Sequence, residues 1–216
     1  MSVRPGLIWQ WRPTVFFFAL AFSALLTSSS VSATKVPSTG LVLMDPSCTP
    51  AWNLVSSPNF TSNNNFLNGI DALATDDVWA VGSFDGGASY HKTLVQHWNG
   101  SSWSVVYSPD PPNPSMSHSL LDVAALTAND IWAVGQSAAS GGASVTLIEH
   151  WNGSAWSVVP SPNMGAYSNT LWDVAAISAN DVWAVGTYQS AAGAPSRTLT
   201  LHWDGSGWSI VSSPLG

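Results

Sequence analysis

Two kinds of side chain able to move protons or hold a metal recur at a fixed spacing along this 216-residue chain. Asp77, Asp130 and Asp181 each stand two residues before a tryptophan, in the runs DVWAVG, DIWAVG and DVWAVG. His97, His150 and His202 each stand directly before a tryptophan. A carboxylate and an imidazole within hydrogen-bond reach can share acid–base work. Three imidazoles converging on one point can hold zinc. Which of these is open depends on whether the copies meet or stay apart. The elements that carry them decide that.

Three markers give one period. The aspartates are 53 and 51 residues apart, and the His-Trp pairs 53 and 52. Trp103, Trp156 and Trp208, which open the runs WSVV, WSVV and WSIV, are 53 and 52 apart. A period near 52 marks one structural unit laid three times. In the third unit, short stretches rich in β-branched and aromatic residues run over Leu171–Ile177, Val182–Tyr188, Thr198–Trp203 and Trp208–Val211. Their length and composition predict strands rather than helices. Ser-Ala-Asn-Asp separates the first two, a turn composition. Asp204-Gly205, like Asn99-Gly100 and Asn152-Gly153, separates the last two and predicts a tight hairpin. A Ser-Pro follows each unit and ends its last strand.

Four antiparallel strands per unit at this length predict a β-propeller blade. The fold expected is all-β, a propeller-type array of three four-stranded antiparallel blades over about 67–109, 120–162 and 171–214. One surplus strand, WNLVSSP at 52–58, precedes them. Strands apolar on both faces fit sheets that bury one another. Alternation puts Trp183 and Val185 on one face, and Val182, Ala184 and Gly186 on the other. Gly82, Gly135 and Gly186 therefore predict places where a neighbour comes close. Trp79, Trp132 and Trp183, with Trp98, Trp151 and Trp203 at the ends of the third strands and Trp103, Trp156 and Trp208, predict a tryptophan layer in each blade.

The hairpin HWNGSSWSVV followed by Ser-Pro resembles the kelch-type repeat of galactose oxidase-like propellers, and DVWAVG resembles the kelch strand that ends in glycine. The likeness covers residues 52–216 and lacks the usual double glycine. It is closer to the Trp-rich repeats of secreted bacterial propellers. The resemblance implies the fold; that fold hosts enzymes, lectins and scaffolds alike.

On such an array, equivalent residues sit one blade apart, too far to share a ligand. The repeated aspartates are expected to tie the turn between the first two strands, and the repeated histidines to pack. His91 and His118 fall outside the pattern and are expected in loops. Asp122 and Asp173 align with Gly69 and are expected to bond the next blade. Catalytic alternatives fail by count. Past residue 33, Arg197 is the sole arginine, where a sialidase-like site needs several. Cys48 precedes the blades, so the cysteine-linked tyrosine of a copper oxidase has no place. Glu149 is the sole glutamate, and a glycosidase pair must stand about 5–9 Å apart. No catalytic residue, metal or cofactor is expected.

The leading residues carry Arg4 and Arg12, then the apolar run VFFFALAFSALLT, then Val31-Ser32-Ala33. That order is an export signal over residues 1–33, followed by a linker over 34–51. The apolar run is shorter than the roughly 20 residues of a membrane span. Without the signal, three cations face twelve acids and the net charge is −9. Such a chain lacks the cationic footprint that nucleic acid or an anionic membrane requires. The expected protein is extracellular and non-catalytic, a binding or scaffold module for a protein or glycan ligand; a lectin-like propeller or a degenerate enzyme fragment is the alternative. Three blades leave two apolar end faces, which predicts either association with a second copy or a truncated relative of a longer array.

Overall fold

The computed structural model describes residues 53–87, 90–111 and 116–213. The predicted signal, the linker, Cys48 and Trp52 lie outside them. The first sheet contains β1 (Asn65–Ala74), β2 (Asp77–Asp85), β3 (His91–Trp98) and β4 (Trp103–Val106). The second contains β5 (His118–Thr127), β6 (Asp130–Ala138), β7 (Ser144–Trp151) and β8 (Trp156–Val158). The third contains β9 (Ser168–Ser178), β10 (Asp181–Gln189), β11 (Arg197–Trp203) and β12 (Trp208–Ile210). In each, consecutive strands pair antiparallel. These are the three four-stranded blades that the repeat predicts. A 3-10 turn at Ser140–Gly142 joins β6 to β7. Among the described residues, no helix is long and apolar enough to cross a membrane.

The hairpin signals act as expected. Asn99 Oδ1 accepts the N–H groups of Ser101 and Ser102 and the Ser101 hydroxyl. Gly100 takes φ +89°, a region that favours glycine. Asn152-Gly153 and Asp204-Gly205 repeat the arrangement. The Ser206 hydroxyl, with the N–H groups of Ser206 and Gly207, holds the Asp204 carboxyl below its ordinary value.

Blades bury each other through two clusters. Trp79, Val81 and Val95 of the first blade meet Leu120, Val123, Ile131, Ala133, Leu147 and Trp156 of the second. Trp132, Val134 and Ile148 of the second meet Leu171, Val174, Val182, Leu201 and Trp208 of the third. So β6 is covered on both sides. Ile131 and Ala133 face the first blade, Trp132 and Val134 the third, and none is more than 2% exposed. That double burial is why "IWAV" carries no polar residue.

The close approach expected at the glycines comes from the neighbouring strand: a Cβ on Gly135 would lie 2.0 Å from the Ser119 carbonyl of β5, beside it in the same sheet. Two expectations change. His91 and His118 open β3 and β5 rather than lying in loops. The surplus strand pairs with no ladder over its described part, residues 53–58. That segment lies against β3 instead: Ser57 Oγ donates to Gln96 Oε1 (3.1 Å), and Gln96 Nε2 donates to the Pro58 carbonyl (2.7 Å).

Candidate functional site

The repeated aspartate and histidine are partners within each blade. Asp77 and Trp79 lie two residues apart on β2 and share a face. His97 of β3 is directly opposite Trp79. Asp77 Oδ1 accepts Trp79 Nε1–H (2.9 Å) and bonds His97 Nε2 (2.8 Å), while the two rings stack at 4.3 Å. Asp130 joins Trp132 and His150 in the same way, and Asp181 joins Trp183 and His202. The carboxylate therefore serves two rings of its own sheet, not the backbone of the turn. The clue in the sequence is the Asp-to-His separation, 20, 20 and 21 residues.

The tryptophans continue the layer across blades. Trp79 packs on Trp151 (5.1 Å) and Trp156 (5.7 Å), and Trp132 on Trp203 (5.0 Å) and Trp208 (5.5 Å). Trp98 packs on Trp103 within the first blade. Trp98, Trp151 and Trp203 donate their indole N–H to the carbonyls of Thr75, Ala128 and Ala179.

Serine, histidine and aspartate meet in every blade, yet not as a nucleophile relay. Ser104 is the cross-strand partner of His97, and its hydroxyl donates to the His97 backbone carbonyl rather than to the ring. Ser157 and Ser209 do the same. The arrangement clamps two strands and an indole. Asp130→Ala should then leave the buried Trp132 indole and the His150 imidazole without their acceptor, a loss of about 2–3 kcal/mol in urea melts. Asp181→Ala should lose less, because Asp181 is 41% exposed against 19% for Asp130.

Two clefts lie outside the Asp-His-Trp clamps. The larger, about 730 Å³, opens on the first blade and falls within the usual range for ligand sites. Its floor is Leu94, Val105, Val106 and Phe84, with Phe60 packed on Phe84 at 4.5 Å. At its rim Lys92 Nζ bonds Asp110 Oδ2 (2.8 Å), and Asp110 Oδ1 accepts Thr93 N–H (3.1 Å). The hydrogen bond to Asp110 raises the Lys92 ammonium above its ordinary value. Asn163 repeats the Asp110 contact by accepting Thr146 N–H, so that contact is structural. Phe84 faces Lys92 across β2 and β3; the second blade has Ser137 and Val145 in their places, and the third has Tyr188 and Arg197, again an aromatic opposite a cation. Motif reasoning missed this cleft, because its floor is built from the repeat and only Phe60, from outside the repeat, closes it over Phe84.

The smaller cleft, about 340 Å³, brings together His91 and His118 with Ser117, Gln136, Ser144 and Ser168. His118 is buried and bonds Ser137 Oγ through Nδ1 (2.9 Å). His91 Nδ1 lies 3.0 Å from Asp85 Oδ1. Among the described residues, no three His, Cys, Asp or Glu side chains are grouped to hold a metal.

Two carboxyls stand out by environment. Asp122 bonds the next blade, as expected, by accepting Val174 N–H (2.9 Å), and burial raises its carboxyl above the ordinary value. Asp71 does the same to Ala125 N–H (2.8 Å). Glu149 is completely buried. Ser108 donates to its Oε2 (2.6 Å), Oε1 has no partner, and burial pushes its carboxyl up to about 8. No family model and no curated protein matches the chain.

Proposed function

We propose that this chain is an exported, non-catalytic propeller-type module that binds its ligand in the cleft of the first blade. The observation that carries the reading is the apolar lining of that cleft with the Lys92 ammonium at its rim. Phe84 and Lys92 stand over an apolar floor of Leu94 and Val105, with Phe60, from outside the repeat, packed on Phe84. Loops and irregular positions on a repeated scaffold are where identity is written. The ligand that fits has an apolar body, with a polar or anionic end for Lys92. The recurring aspartates, histidines and tryptophans support a non-catalytic role, since each is engaged inside its own blade or against the next. The kelch-like hairpin and the export signal fit the same reading. Carbohydrate stacking is less well supported, because Trp79, Trp132, Trp156 and Trp208 are buried between blades.

Anilinonaphthalene sulfonate, an apolar anion, is a direct probe. It should bind the exported chain with a blue-shifted emission, weaken on Lys92→Gln, and lose most of its signal on Val105→Glu, which places a charge on the cleft floor. Binding unchanged by Val105→Glu would overturn the cleft as the seat. A glycan array on the same two variants separates a carbohydrate ligand from other classes.

A further inference from the structure

The two end faces of the array are halves of one interface. Val81 and Val134 are fully buried between blades, yet Val185, the same residue of the third blade, is 46% exposed. Val123 and Val174, which close those interfaces from the other side, are 3% and 6% exposed, whereas Ile70 of the first blade is 64% exposed. The tryptophan layer breaks at the same two places. Trp79 and Trp132 are each seated on a tryptophan pair of the following blade. Among the described residues, Trp183 has no such pair to sit on, and the Trp98–Trp103 pair carries no tryptophan from a preceding blade. Each end thus lacks what the other presents.

We infer that copies of this chain associate head to tail, with Trp183 and Val185 of one copy seated on Trp98, Trp103 and Ile70 of the next. The template is the pair of interfaces within the chain: Val81 shares a buried cluster with Val123, and Val134 shares one with Val174. The polar seam repeats as well. Asp122 accepts Val174 N–H, and the repeat sets Asp173 against the backbone of the incoming Ile70. One outer strand is surplus at such a contact. WNLVSSP at 52–58 and WSIVSSP at 208–214 agree at five of seven positions, so either can fill the slot beside β11. Ser57 already meets Gln96 where Ser108 meets Glu149 one blade later, so the leading segment holds the position of a preceding blade's last strand. A contact between unlike faces either closes into a ring or propagates. Two copies give six blades, within the range of closed propellers.

The test is the molar mass of the exported chain by light scattering across two decades of concentration. Association is expected. Val185→Lys and Ile70→Asp should each weaken it roughly tenfold or more by like-for-like disruption of one face. The double variant should recover most of the loss, because the new charges are opposite and adjacent. Both sites are exposed, so the thermal unfolding of either variant under monomeric conditions should match the parent. A parent that stays monomeric throughout would overturn the inference, as would association that Val185→Lys leaves unchanged. Leu94 of the cleft floor takes the place of Leu147, which the preceding blade covers, so the incoming copy and the cleft ligand share one face. Under monomeric conditions the anilinonaphthalene sulfonate signal should survive Val185→Lys, which keeps this outcome separate from that of the cleft.

Discussion

Replacing Gly135 by alanine should prevent the second blade from forming and unfold the array with it. The added methyl would lie 2.0 Å from the Ser119 carbonyl and 2.9 Å from Leu120 Cα, both backbone atoms of β5. Neither can rotate away. The strand is tight here because its register shifts: Leu120 faces Gly135 and Asp122 faces Val134, so Leu121 bulges between them. Moving β5 to make room would drag Leu120, Val123 and the Asp122 bond to Val174 out of both blade interfaces. A loss of about 3 kcal/mol or more is expected, at the upper end for overpacking. Gly186→Ala meets the same clash, with the Thr170 carbonyl at 1.9 Å, but in the last blade. In an array each unit leans only on its neighbours. Amide exchange should therefore show the third blade opening while the first two keep their protection. Gly207→Ala, with open space at the added carbon, should change stability by less than about 0.5 kcal/mol. If Gly135→Ala melts like the parent, the close approach of β5 is not real.

The three glycines show how far the sequence could be read. Their recurrence marks a close approach, and the alternation along "VWAVG" marks the faces. It does not say which neighbour approaches, because a bulge in β5 depends on a ladder that no local pattern records. The strands, hairpins and period were legible for a simple reason: each rests on residues within one repeat. Asn-Gly and Asp-Gly act on their own turns, and "IWAV" is apolar because β6 is covered twice. The Asp-His-Trp clamp was half legible. Both residues stood out, but their meeting needs the register that sets His97 opposite Trp79. The cleft was not legible. Phe84, Lys92 and Val105 stand on three strands of the repeat, but Phe60 comes from outside it, and no local pattern seats it on Phe84. Glu149 was visible only as the sole glutamate. Its burial follows from Ala133, whose small side chain faces it across the ladder, and from the blade packed above it.

That burial predicts the second large effect: Glu149→Gln should stabilise the protein, and increasingly so as the pH rises. Unfolded, the carboxyl titrates near its ordinary 4.5; folded, it titrates at about 8. Between those values the folded state holds a proton that the unfolded state has released. Stability therefore falls as pH rises through this window, by at most about 1.4 kcal/mol per unit from this one group. Glutamine has no such proton to lose. The difference between variant and parent should be small near the lower end of the window and reach roughly 2–4 kcal/mol near its upper end, as read from paired urea melts. The first blade shows why an amide suits the slot. Gln96 occupies the equivalent position, is 1% exposed, accepts from Ser57 and donates to the Pro58 carbonyl. Ser108 offers Glu149 the hydroxyl that Ser57 offers Gln96, and the other oxygen, Oε1, has no partner. The third blade gives a second solution, Leu201, fully buried in the same place. There Ser161 turns to Thr146 (2.8 Å), as Ser108 can turn to Thr93 (2.9 Å). Glu149→Leu should thus remove the pH dependence without supplying the amide bonds. If both variants flatten the slope, ionisation of Glu149 is its cause. If the gap between glutamine and parent does not widen with pH, the acid is not buried as described, and the strand carrying it is not held between the blades.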